Sequence, residues 1–132
     1  MRIYLTHCSA KKDESFKNTC REVTPDQLYT ATPLQRFINR SKQKRVNWAI
    51  FSDKYGIWFP YEKRKWYEKH PNKVTEQELK DLTVDFVKKL IDYDEIFFYY
   101  NPGRFHSLYK RLLKRVRQKL NVVLFSHLDE IV

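Results

Sequence analysis

Four short apolar runs punctuate the chain: RIYL at 2–5, NWAIF at 47–51, EIFFYY at 95–100 and NVVLF at 121–125. Each is continuous rather than alternating. That pattern predicts strands covered on both faces, and hence a largely parallel sheet. Between the runs, apolar positions recur at helical spacing. In TPLQRFINRSKQ, Thr32 is expected to cap, Pro33 to sit in the first turn and Gln35 to close a capping box. Leu34, Phe37 and Ile38 form its apolar stripe. Thr75 and Glu78 make a second capping box, with Val74 and Leu79 placed as a hydrophobic staple. Leu79, Leu82, Phe86, Val87 and Leu90 follow at helical spacing. A third helix is expected to start at NPG, with Asn101 as cap, and to bury Phe105, Leu108, Leu112 and Val116.

The order β-α-β-α-β-α-β predicts one α/β domain over residues 1–132. The expected form is three-layered, with a mainly parallel four-stranded sheet, helices on both faces and right-handed crossovers. Two longer connections remain, residues 10–31 and 57–74, and loops of that length in a small domain usually carry function. The first is expected to hold a helical turn at TPDQLY, where Thr24, Pro25 and Gln27 repeat the capping pattern.

Composition adds three things. The chain's 132 residues suit a single domain that buries a core without disulfides. Twenty-six Lys and Arg against sixteen Asp and Glu give a net charge of +10, which points to a polyanionic partner, nucleic acid or a nucleotide-like anion. Cys8 and Cys20 make no C-x-x-C pair and no zinc-ligand spacing, so neither a disulfide nor a metal is expected. With no G-x-G-x-x-G and no P-loop, no cofactor is called for. No apolar run approaches a membrane span and the chain enters a strand at once. A cytoplasmic protein without signal peptide or membrane partner is therefore expected. Oligomeric state has no visible signature.

Open parallel sheets bind ligands beyond the carboxyl ends of their strands. There the sequence places THCSAKK, SDKYG, NPGRFH and SH, including both glycines of the chain. Ser9, Lys11, Lys12, Ser52, Lys54, Tyr55, Gly56, Asn101, Arg104 and His106 are the ligand-binding candidates, and Lys12, Ser52, Lys54 and Arg104 are expected to surround one cavity. Cys8, Lys12 and Lys54 are the catalytic candidates, though no general base can be named. Cys8 reads either as a thiol activated by the neighbouring lysines or as a small buried residue of the pocket floor. Two stretches, 36–45 and 104–119, contain cations and no acid, which nominates Arg36, Arg40, Arg111, Lys114 and Arg115 as contacts to a phosphate backbone.

Three stretches, CSAKK, LYTATPLQRF and AIFSDKYGIWFPYE, together resemble the small α/β proteins related to the peroxide-stress protein YaaA. The Cys-Ser-x-x-Lys start is also similar to the lysine-adding domain of archaeosine synthase, which modifies a deazaguanine base in tRNA. The likeness covers roughly residues 3–110. Carried over by position, it implies a shared fold and pocket, with Cys8, Ser9, Lys12, Tyr29, Thr30, Ser52, Lys54, Tyr55 and Gly56 around it. The chain departs from archaeosine synthase after Lys12, where Asp13 and Glu14 follow instead of Pro-Tyr. The resulting expectation is an enzyme or ligand-binding domain directed at a nucleobase, a nucleotide or modified nucleic acid. The alternative is a non-catalytic basic nucleic-acid-binding protein.

Overall fold

The computed structural model describes all residues 1–132. Its strands and helices in chain order are β1 (Arg2–His7), β2 (Glu22–Val23), α1 (Pro25–Leu28), α2 (Thr32–Gln43), β3 (Asn47–Ser52), β4 (Gly56–Trp58), β5 (Arg64–Lys65), α3 (Glu76–Leu90), β6 (Glu95–Tyr99), α4 (Ser107–Val116) and β7 (Val122–Phe125). Five strands form one sheet in the order β4-β3-β1-β6-β7, and β2 pairs with β5 in a separate ribbon. β1 lies at the centre, parallel to β3 and to β6, and β6 is parallel to β7. The expectation of four strands is corrected to five. SDKYG is a turn that folds GIW back antiparallel onto β3, and three residues were too few to show a strand period. Gly56 makes this return with φ +74, a backbone region that disfavours side chains.

Alternation along β1 feeds two cores. Ile3 and Leu5 face one side with Ala49, Phe51, Ile96 and Phe98, under the buried stripes of α3 and α4. Tyr4 faces the other with Trp48, Ile50 and Phe125, under Leu34, Phe37 and Ile38 of α2. On α3, Leu79, Leu82, Phe86 and Leu90 are buried. Each such side chain gains about 2 kcal/mol on burial. An exposed helical pair gives only a few tenths. Packing therefore holds α3, and the Thr75–Glu78 capping box, formed as expected, sets its start.

Two helix starts differ from expectation. α2 begins at Thr32, with Ala31 as its cap residue. Gln35 closes no box and instead donates to the backbone carbonyls of Asp26 and Tyr29, tying α1 to α2. α4 begins at Ser107 and is capped by His106, whose Nδ1 accepts the Leu108 N–H at 3.0 Å. Asn101 caps no helix, because its Oδ1 accepts the Gly103 N–H in a tight turn. No helix is long and apolar enough to cross a membrane.

Candidate functional site

Chain order reverses direction at β1: the next sheet strand, β3, adds on one side and β6 on the other. At such a switch point the connections leave in opposite directions and open a crevice beyond the strand ends. A cleft of about 710 Å³ lies there. Its lining comes from Thr6 to Ala10 after β1, Asp53 after β3, Tyr99 to Asn101 after β6, and Arg104, His106 and Tyr109 at the start of α4. Lys69, His70 and Pro71 wall one side, and Ala31, Pro33 and Leu34 another.

The floor is a buried polar corner. Asp53 is only 3% exposed, and its Oδ1 accepts the Tyr109 hydroxyl at 2.8 Å. Its backbone N–H points at the Cys8 sulfur, 3.4 Å away, and the Tyr109 oxygen lies 3.7 Å from the same sulfur. Burial raises the Asp53 carboxyl above the usual carboxylate range, and the Tyr109 hydrogen bond partly offsets this. Burial and the nearby Asp53 charge push the Cys8 thiol up to about 12. Cys8 is therefore a protonated thiol at neutral pH. Of its two sequence readings, the geometry matches the small floor residue.

Two histidines have fixed tautomers. The His7 Nδ1 sits 2.8 Å from the Cys8 carbonyl, so it must donate, leaving Nε2 as an acceptor. Burial holds His7 below its ordinary range, and it is neutral at pH 7. Its ring stacks on Tyr109 with centroids 4.3 Å apart. His106 is the reverse case: Nδ1 accepts at the cap, so Nε2 donates to Asn72 Oδ1 at 2.6 Å. This bond fastens the 71–73 turn, next to the cleft wall, to the head of α4.

Of the four cations and hydroxyls expected around one cavity, only Arg104 lines it. Ser52 is fully buried; its Oγ donates to Tyr67 Oη at 3.0 Å and accepts the backbone N–H groups of Lys54 and Tyr55. Lys54 is exposed and lies over the Tyr55 ring, because the turn into β4 carries it outward. Lys12 is 9% exposed, outside the lining, boxed by Tyr67, Trp66 and Tyr29. Tyr29 is buried and hydrogen-bonded to Tyr67, and Tyr55 donates to the Lys65 carbonyl. Gly56 opens β4, while Lys11 and Thr30 are exposed outside the lining. Cys8, Ser9, Asn101, Arg104 and His106 line the cleft, as expected of strand ends.

Sequence reasoning did not nominate Asp53, Tyr109, Tyr67, Lys69 or His70. For two of them a signal existed. Asp53 directly follows the last residue of β3, and Tyr109 falls four residues after Phe105, on the stripe already assigned to the core.

The basic segments are less free than their composition implies. Arg40 is spent on the carbonyls of Ile131 and Asp129, and Arg115 pairs with Glu76. Arg36, Arg111 and Lys114 are exposed without an ion pair. α2 and α4 pack into different cores, so the two segments flank opposite faces of the sheet.

Fold and site together define an α/β protein of mostly parallel sheet, with a polar cleft at the strand switch point. No family model, no curated protein and no solved structure matches the chain.

Proposed function

We propose that the cleft binds a nucleobase, nucleoside or nucleotide, free or within a nucleic acid, as the site of an enzyme or ligand-binding domain. The observation that carries this reading is that one cleft is lined by both a buried carboxylate and an unpaired guanidinium. Asp53 makes no ion pair at the floor, and neither does Arg104 at the exposed rim. The same lining holds Tyr99, Tyr100 and the stacked His7–Tyr109 pair. A base offers N–H donors to a carboxylate and a flat face to aromatic walls. A phosphate suits the fork of an arginine. The resemblance to YaaA-related proteins and to archaeosine synthase points the same way.

Thermal shift against nucleoside monophosphates, free bases and deazaguanines tests it. A ligand at a hundred times its Kd adds about 2.7 kcal/mol to stability. The reading expects a compound that stabilises the wild type and not Arg104→Ala. Absence of any shift across these compounds, with the fold intact, rejects it.

A second reading rests on a separate observation, the exposed and unpaired cations of α4. Under it the chain is a non-catalytic nucleic-acid-binding protein using Arg111, Lys114 and their neighbours. Oligonucleotide binding that survives Arg104→Ala and is lost on neutralising α4 favours this alternative.

A further inference from the structure

Lys12 is nine-tenths buried, and its ammonium forms no ion pair. Its one hydrogen bond is a long one, 3.4 Å, to the carbonyl of Ala10. The Nζ lies 4.5 Å from the Tyr67 ring centroid, 5.8 Å from that of Trp66 and 6.0 Å from that of Tyr29. Aromatic faces attract a cation but do not replace a counter-ion. The backbone fixes this placement. Lys12 bridges to Tyr29, and Asp13 and Thr30 bond across to Leu28 and Lys11.

Asp53 is the complementary case, a buried carboxylate with no cation in contact. A continuous path joins the two. Tyr67, whose ring carries Lys12, accepts from Ser52, the residue before Asp53. Isolated buried charges are costly, and an opposite charge in the same low-dielectric region relieves both. We propose that Lys12 and Asp53 are a buried charge pair held apart by Tyr67 and Cys8. Lys12 is then a positioning residue that keeps the Asp53 carboxylate ionised at the cleft floor.

The other groups within reach do not substitute. Asp53 is touched by the Tyr109 hydroxyl and the Cys8 sulfur, and the charges of His106 and Lys12 also act on it. His106 has both nitrogens committed, to the cap and to Asn72. The groups of opposite sign that act on Lys12 at a distance are Cys8, Asp53, Glu68 and Glu14. Glu14 and Glu68 are exposed, and Glu68 already faces Lys17 at 3.7 Å. Water and salt screen both glutamates. That leaves Asp53 as the buried partner. Burial lowers the Lys12 ammonium and raises the Asp53 carboxyl, while each charge pulls the other back toward its ionised form.

The inference gives Asp53 the role of an acceptor, and so rests on the cleft being the working site. Its test needs no ligand. Carboxyl carbon NMR follows the Asp53 titration, assigned by its loss in Asp53→Asn. In Lys12→Met the midpoint is expected to move to higher pH. In Lys54→Met it is expected to stay, because Lys54 neighbours Asp53 in the chain but is exposed. An unmoved midpoint in a folded Lys12→Met protein overturns the proposal, as does an equal movement in both variants. Should Lys12→Met not fold, Asp53→Asn gives the reciprocal measurement. It keeps an acceptor oxygen for Tyr109, and the Lys12 side-chain nitrogen should then titrate at lower pH than in wild type. An unchanged Lys12 midpoint overturns the pairing. These readings are made on the free chain, so they fail or succeed independently of nucleotide binding.

Discussion

The Asp85 carboxylate of α3 sits over Gly56 so closely that a Cβ there would lie 2.1 Å from Asp85 Oδ2. That oxygen accepts the Ile57 N–H at 2.8 Å, and Lys89 holds the other at 2.8 Å. The edge hairpin is thus pinned to α3 through a spot that only glycine fits. Gly56→Ala meets both the clash and the positive φ, and is expected to lose about 3 kcal/mol in urea unfolding. Asp85→Ala leaves the Ile57 N–H unpaired, at about 1–2 kcal/mol. The double variant should lose less than the sum, because removing the carboxylate removes the clash. Strict additivity would refute the contact.

How much of this was legible beforehand follows from run length. β1, β3, β6 and β7 announce themselves as continuous apolar stretches, and α3 through its capping box. β4 hides because three residues show no period, and the ribbon of β2 and β5 is shorter still. The head of α4 differs from expectation because asparagine is a commoner helix cap than histidine. The Asn101 side chain closes a turn with Gly103, and the helix waits for His106. In the site, residues adjacent to strand ends could be read, such as Cys8 and Arg104. Tyr67 could not, since it reaches Ser52 only once the 57–74 connection has folded back.

The cysteines give a direct chemical check. Cys20 is exposed, while Cys8 is buried with its thiol pushed up to about 12. A thiol reagent at pH 8 should label one site per native chain and two after denaturation. Rapid labelling of Cys8 in the native protein would contradict the sealed floor.

Acid should loosen α3 through Glu78. Its hydrogen bonds to Lys69 and the Thr75 backbone lower its pKa from 4.5 to about 2. A depressed folded value means the stabilisation is complete above the unfolded value and is lost as pH falls through the folded one. Wild type should lose stability between pH 5 and 2 more steeply than Glu78→Gln, read by urea midpoints. Thr75→Ala should cost about 1 kcal/mol at neutral pH from the lost cap.

Asp53 has the opposite sign. Its folded pKa is raised, so the native state binds the proton more tightly than the unfolded chain, and ionisation at neutral pH works against folding. Wild type should therefore lose stability relative to Asp53→Asn as pH rises through the native Asp53 midpoint, read by urea midpoints across that range. A difference between the two that stays flat across that range would refute the raised midpoint.

Oligonucleotide binding by the basic surface should weaken steeply with salt, because released counterions drive it. Removing Arg111 and Lys114 should each reduce the log–log salt slope by about 0.7–0.9 if each meets a phosphate. Arg115→Ala should change it less, since Glu76 already holds that guanidinium. Equal slopes in all variants would place the contact elsewhere.

The central position of β1 sets a timetable for synthesis. Its two flanking strands are made far apart in time: β3 begins at Asn47, while Arg2 pairs with Glu95, 93 residues later. A nascent chain stopped before β6 presents β1 with one bare edge and half a cleft, since Tyr99, Arg104 and Tyr109 do not yet exist. Such a fragment is open to pairing with other strands. Closing the sheet across that separation is also slow. The ribosome must translate most of the message before the site can exist, and premature termination upstream of β6 yields a chain that can aggregate but cannot assemble the cleft.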